Sequence, residues 1–155
     1  MSVTLNNLES ALAGESMAHI KYRYFAMIAR EEGFEDVAKH FEHTADQEIL
    51  HAWGHLELLI GKPDVKSSLQ MAIDGETYEF TTMYPKFELE ARLEGHTQWL
   101  KEIKDNIDES KVHAEQFQEM LVKAEKRFSA LKKVEERHAN AYQLKLDELT
   151  QVKAR

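Results

Sequence analysis

Apolar residues recur every three or four positions along almost the whole chain, and no convincing stretch alternates apolar and polar residues as a half-buried β-strand would. This pattern predicts an all-α protein. The first half divides into two helices, at about residues 4–32 and 35–60, with Gly33 at the turn between them. Because so short a turn joins antiparallel neighbours, the first half is predicted to be a helical hairpin.

A second hairpin is predicted after a linker at residues 61–66, which contains the Gly-Lys-Pro-Asp break. It covers about residues 67–152, and Pro85 is expected to kink its first helix. Two positions fit the turn between its helices. One is the Glu-Gly-His segment around Gly95, and the other is residues 105–108, where Asp and Asn can cap a new helix.

Composition narrows the class of protein. A chain of 155 residues suits one domain, and its formal net charge of −8 argues against a nucleic-acid binder, which needs a basic face. The absence of cysteine excludes disulfides, thiolate metal ligands and a cysteine nucleophile. No apolar run approaches the roughly 20 residues that span a bilayer, and the first residues lack a signal-peptide pattern. A soluble cytoplasmic protein that binds no membrane is expected.

The clearest chemical signal is a glutamate followed three residues later by a histidine, which occurs on one helix of each hairpin. These residues are neighbours on one helix face. The other helix of each hairpin carries a Gly-Glu pair, and a further glutamate follows the second pair. The candidate ligands are therefore Glu15, Glu48, His51, Glu76, Glu79, Glu135 and His138.

Four helices that supply this set match the ligand pattern of a four-helix carboxylate-bridged di-metal site. Several buried carboxylates would be costly without compensation, and two cations supply it. Oxygen and imidazole ligands suit iron or manganese. The competing interpretation is that Glu-x-x-His pairs are common on acidic helices and merely solvated. Two such pairs, each on an apolar stripe, favour the metal site.

The motifs resemble those of rubrerythrins, the ferritin-like di-iron proteins, across nearly the whole chain. The matching segments are Gly-Glu-Ser at residues 14–16 continuing to Tyr22, Glu-Ile-Leu-His-Ala at 48–52, GETYEFTTMYP at 75–85 and VEERHANAY at 134–142. The resemblance implies a ferritin-like four-helix bundle, and the length of this chain's second hairpin suggests that it is extended.

The resemblance also implies residue roles around two iron ions. Glu15 would bind one iron, Glu76 and His138 the other, and Glu48 and Glu135 would bridge them. Glu79 and His51 would exchange on the first iron as the redox state changes. The family's tyrosines that hydrogen-bond ligand carboxylates correspond to Tyr22 and Tyr84.

The last Glu-x-x-His pair departs from the family spacing. That spacing places Ser110 and His113 at the motif, where the glutamate is missing, and Glu135 lies 25 residues later. About 25 residues is close to seven helical turns, so lengthening both helices of the hairpin would preserve the phase. We prefer Glu135 and His138 because only they complete the ligand set, with His113 as the alternative.

Two further departures concern partners. Rubrerythrins proper carry a rubredoxin domain with iron-binding cysteines, so this chain looks like the shorter erythrin type, and its electrons would come from a separate donor protein. The linker between the hairpins is also too short for the parallel second and third helices of this fold. A domain-swapped homodimer is predicted.

The resemblance implies reduction of hydrogen peroxide at a di-ferrous site, with dioxygen as the alternative oxidant. Two other functions remain open. One is ferroxidase or iron storage, and the other is a helical interaction module with a vestigial metal site.

Overall fold

The computed structural model describes residues 2–153, with the side chains of residues 2–150. Every regular element in this part is helical, which confirms the all-α prediction. The elements are α1 (Val3–Glu31), α2 (Glu35–Ile60), α3 (Val65–Tyr78), a π-helical turn (Glu79–Met83), α4 (Tyr84–Glu94), a 3₁₀ turn (Thr97–Trp99) and α5 (Leu100–Lys153). None of the described helices combines the length and apolar character needed to cross a membrane.

The first compact unit is the α1–α2 hairpin. Its buried residues are all alanines: Ala26, Ala29, Ala38, Ala45 and Ala52. Small side chains let the two helices approach closely, but they bury little apolar area. The larger side chains near the turn instead form a half-buried aromatic cluster, which consists of Tyr22, Phe25 and Phe41. The hairpin alone therefore has a thin core.

The second compact unit is a hairpin in which α3, the π turn and α4 pack against α5. Asp64 caps α3, because the Ser67 backbone N–H donates to its carboxylate at 2.7 Å. The π turn directly precedes Pro85. Proline has no N–H to bond the carbonyl four residues earlier, and a π turn accommodates that loss. A kink was expected at Pro85, and the structure instead has a wide π turn in the helix just before it.

Gly95 sets the register of this second hairpin. It ends α4 in the left-handed conformation, with φ of 78°. The other candidate turn, residues 105–108, lies inside α5. The expectation that both helices of the hairpin are lengthened is therefore wrong, because α4 ends at Glu94 and only α5 is long.

α5 continues well beyond the start of α3. Lys66, near that start, pairs with Glu125 at 2.7 Å. Residues 126–153 form what we call the α5 extension, which measures about 42 Å at 1.5 Å per residue. Its described side chains are all exposed except that of half-buried Val134. The extension therefore packs little against the rest of its own hairpin.

We expect Gly95→Ala to destabilise the protein by about 1 kcal/mol, because a side chain disfavours the left-handed conformation. Gly54→Ala is the matched control. Gly54 lies inside α2, and a methyl group added there meets no atom within 4 Å. It should stabilise the protein by about 0.5–1 kcal/mol through helix propensity. Urea unfolding of both variants measures the changes, and shifts of the same sign would contradict this account of the turn.

Candidate metal centre

The first hairpin brings together three of the predicted ligands, which we call the first cluster. Glu15 on α1 faces Glu48 and His51 on α2, and one ligand atom from each lies within 4.8 Å of the others. His51 Nδ1 is 3.2 Å from a Glu48 carboxylate oxygen. Glu48 is mostly shielded from solvent, with 18% of its side chain exposed. The three-residue spacing on α2 thus produces the predicted pair of neighbouring donors.

Protonation of the first cluster depends on the close approach of its two carboxyl groups. A hydrogen bond with Glu48 raises the pKa of Glu15, and partial burial and repulsion by the Glu48 charge add to the rise. His51 and His55 act in the opposite direction. The pair therefore holds a proton to higher pH than a lone glutamate would, and a bound cation would displace that proton.

The second hairpin forms a second cluster from Glu76, Glu79, Ser110 and His113. The Ser110 hydroxyl donates to a Glu79 carboxylate oxygen at 2.9 Å. His113 Nδ1 lies 3.5 Å from Glu76 Oε2. Ser110 is the buried polar residue of α5, with 4% exposure. Glu76 thus lies beside His113, and Glu79 beside Ser110, across this hairpin.

One oxygen of the second cluster is unsatisfied. Among the described residues, Glu76 Oε2 is the buried side-chain polar atom that lacks a hydrogen-bond partner. A buried acceptor without a partner costs about 1–3 kcal/mol, so native proteins rarely leave one. A cation bound between Glu76 and His113 would satisfy this oxygen. The donor set of this cluster therefore fits a metal ion.

The π turn aligns Tyr84 with the second cluster. The Tyr84 N–H donates to the carbonyl of Glu79, five residues earlier, so one wide turn separates the two residues. Burial raises the pKa of Tyr84, and the negative charges of surrounding carboxylates raise it further. These carboxylates are Glu79, Glu76, Glu102 and Glu109, in order of decreasing effect. Tyr84 therefore remains a protonated hydrogen-bond donor at neutral pH.

Glu109 is the residue that the sequence search missed. It precedes His113 by four positions, and residues four apart share a helix face as closely as residues three apart. Its charge adds to those of Glu79, Glu76 and Glu102 in raising the pKa of Tyr84, and its own side chain is exposed. The predicted ligand set relied only on the three-residue spacing between glutamate and histidine that occurs in α2. A four-residue spacing would have identified Glu109 with His113.

The preference for Glu135 and His138 must be corrected. A turn at Gly95 aligns His113 with Glu76 and Ser110 with Glu79. Glu135 lies about 37 Å farther along α5 than Ser110, and both Glu135 and His138 are exposed. The structure therefore does not bring this pair to Glu76 and Glu79.

The two predicted site tyrosines have different surroundings. Tyr84 lies at the second cluster and also lines a cleft of about 420 Å³ between α4 and α5. Tyr22 belongs to the aromatic cluster, with ring centroids 6.5 Å from Phe25 and 5.9 Å from Phe41. It lies two helical turns from Glu15. Its packing is clear, whereas its predicted bond to a ligand carboxylate stays a prediction.

The part of the chain that carries both clusters also matches a family of known proteins. The family model described as Rubrerythrin matches residues 6–121. This range contains both clusters, whereas Glu135 and His138 lie outside it.

Individual relatives agree with the family match. The chain is 35% identical to nigerythrin of Nitratidesulfovibrio vulgaris over 128 residues, which cover 74% of this chain and 63% of the relative. It is 38% identical to rubrerythrin of the same organism over 108 residues, which cover 61% of this chain and 56% of the relative. The chain thus spans less than two thirds of the length of these relatives. A solved structure of nigerythrin in its fully reduced, all-ferrous state aligns with a TM-score of 0.39 at 33% identity, covering 81% of this chain and 69% of that one.

We expect His113→Ala to weaken iron binding at least about tenfold, because it removes the imidazole beside the unsatisfied Glu76 oxygen. His138→Ala is the matched control and should bind iron as the wild type does. Anaerobic titration with ferrous iron, followed by elemental analysis, measures both. Loss of iron from the His138 variant with retention in the His113 variant would restore the original assignment.

Proposed function

Because this chain belongs to the rubrerythrin family, we propose that it is a di-iron oxidoreductase that reduces hydrogen peroxide with electrons from a separate donor protein. The observation that carries the proposal is the pair of carboxylate and imidazole clusters within the family-matched residues. The buried Glu76 oxygen without a hydrogen-bond partner also supports a cation at this position.

Each hairpin would supply half of the ligands. The first cluster contributes Glu15, Glu48 and His51, and the second contributes Glu76, Glu79, Glu109 and His113. Carboxylates and imidazoles suit iron, and manganese is the alternative with similar preferences. When bound, a pair of ferrous ions supplies the two electrons that convert one hydrogen peroxide and two protons into two waters.

The surrounding residues position the ligands and handle protons. Ser110 donates to Glu79 and so fixes the orientation of that carboxylate. Tyr84 keeps its proton because its pKa is raised, so its hydroxyl can donate a hydrogen bond into the site. The raised pKa of Glu15 lets it hold a proton to higher pH than a lone glutamate does, and a bound cation would displace that proton.

We also propose that the complete centre forms in a domain-swapped homodimer. Ferritin-like bundles need one long crossover connection between their second and third helices. Here α2 ends at Ile60 and α3 begins at Val65, and five extended steps reach only about 18 Å. His51 lies about 14 Å before the end of α2 and Glu76 about 17 Å after the start of α3, so a crossover must span about 31 Å. Exchange of hairpins between two chains removes that mismatch.

The small apolar area that each hairpin buries by itself also supports a dimer. Among the described residues, the buried apolar set consists of six alanines and Leu121. Two-helix hairpins with such cores need further apolar packing for stability. Association of hairpins from two chains provides it.

We expect anaerobically reduced, iron-loaded protein to be oxidised by one equivalent of hydrogen peroxide per di-iron centre, and faster than by dioxygen. Tyr84→Phe should slow this step about tenfold without loss of iron, because it removes only the hydroxyl beside the cluster. Tyr142→Phe, in the α5 extension, should have no effect. Stopped-flow absorbance and peroxide consumption report the result. No oxidation by stoichiometric peroxide would reject the proposed activity.

Hairpin exchange predicts complementation between two defective chains. A Glu15→Ala chain has an intact second hairpin, and a His113→Ala chain has an intact first hairpin. When they are unfolded and refolded together, random pairing should restore about a quarter of the sites if chains exchange hairpins. Iron content and peroxide turnover of the mixture measure the recovery.

Each variant refolded alone is the control for that experiment. In a monomer or an unswapped dimer every centre keeps one damaged half, so no activity returns. A wild-type chain that sediments as an 18.0 kDa monomer at micromolar concentration would also reject the exchange.

A further inference from the structure

We propose that the α5 extension pairs with the same segment of a second copy of this chain as a two-stranded antiparallel coiled coil. The extension keeps a stripe of large apolar side chains on one face. Phe128, Leu131, Tyr142 and Leu149 are 49–76% exposed. Their three- and four-residue spacing continues the stripe that includes Leu121, which is buried where α5 passes the start of α3. Such a spacing sustained over about four heptads is typical of a coiled coil.

The charged residues inside the stripe favour antiparallel pairing. Glu135 and His138 occupy the two core positions at the middle of the extension. In a parallel pair each Glu135 would lie opposite the Glu135 of the second copy, and like charges would meet in the core. In an antiparallel pair with its two-fold axis between Glu136 and Arg137, each Glu135 lies opposite the His138 of the second copy. That arrangement forms two hydrogen-bonded pairs.

In the same register Phe128 lies opposite Lys145 of the second copy, whose aliphatic stem packs on the ring while its ammonium group reaches solvent. Leu131 then packs against Tyr142 of the second copy, and Val134 lies beside Ala141 of that copy. At the flanks, Arg127 faces Glu148 of the second copy, so opposite charges meet on both sides of the axis. This register therefore places Leu131 against Tyr142, Arg127 against Glu148, and Glu135 against His138.

Self-complementarity identifies the occupant as a second copy. Under a two-fold axis every favourable pair occurs twice, which is the condition for a closed symmetric interface. The pairing is independent of the metal centre, because the extension lies beyond both clusters. It also gives a role to Glu135 and His138, which the metal centre does not use.

The absence of cysteine from the chain allows a direct test by cross-linking. The variant Arg127→Cys/Glu148→Cys carries two thiols about 31 Å apart on its own helix, so a bis-maleimide with a reach of about one helix diameter cannot join them within one chain. In the full-length protein at micromolar concentration, the reagent should convert most chains into covalent dimers. Surface ion pairs contribute little, so their loss should leave the apolar pairing in place.

Three controls make the result decisive. Lys126→Cys/Asp147→Cys has the same separation on the outer face and should cross-link at least about tenfold less, because its thiols are not held together. Arg127→Cys alone should remain uncross-linked, whereas a parallel coil would join it efficiently. Leu131→Asp, added to the first variant, should abolish the cross-link. Its side chain is 49% exposed, so the hairpin fold should tolerate the change.

Equal cross-linking of the inner and outer pairs would overturn the proposal. Efficient cross-linking of the single variant would overturn the antiparallel register, and no cross-linking at all would overturn the pairing. None of these results bears on iron binding or peroxide oxidation. Failure here is therefore distinguishable from failure of the proposed function.

Discussion

Carboxylates held within a few ångströms of one another repel, and the first cluster holds a ligand atom of Glu15 within 4.8 Å of one of Glu48. In the first hairpin a hydrogen bond with Glu48 raises the pKa of Glu15, so Glu15 holds a proton to higher pH than a lone glutamate would. In the second, Ser110 satisfies an oxygen of Glu79, but Glu76 Oε2 stays buried without a hydrogen-bond partner. Each of these arrangements stabilises its carboxylates only in part. A cation bound at either cluster would compensate the negative charge there.

Backbone geometry determines which side chains share that charge. The left-handed residue at Gly95 fixes where α5 begins, and so aligns His113 with Glu76. The π turn widens the helix after Glu79, and so aligns Tyr84 with that carboxylate. Each feature follows from a local property of one residue: glycine tolerates a positive φ, and Pro85 removes one helical hydrogen bond. Small local features thereby set the composition of the second cluster.

Much of this could be predicted from the sequence. The helix over Glu35–Ile60 and the turn at Gly33 follow from apolar periodicity and glycine, and the spacing of Glu48 and His51 correctly predicted a shared helix face. The resemblance to rubrerythrins is confirmed by the family match. The second cluster was harder to predict, because a turn at either of two positions would leave the same helix faces opposite each other in an antiparallel hairpin. Periodicity alone could not distinguish a turn at Gly95 from one at residues 105–108. The choice then rested on completing a motif, which favoured the wrong histidine.

Glu48–His51 and Glu135–His138 show that one sequence motif takes its meaning from what lies opposite it. On α2 the pair faces Glu15, and a third donor at short distance makes a ligand cluster. On the α5 extension the same spacing faces no described residue of its own hairpin, and the surrounding positions follow a heptad. A glutamate and a histidine in the core of a coiled coil restrict its direction, because a parallel alignment would bring the two glutamates together. Ligand chemistry and pairing specificity therefore use the same two residue types, and the packing partner decides between them.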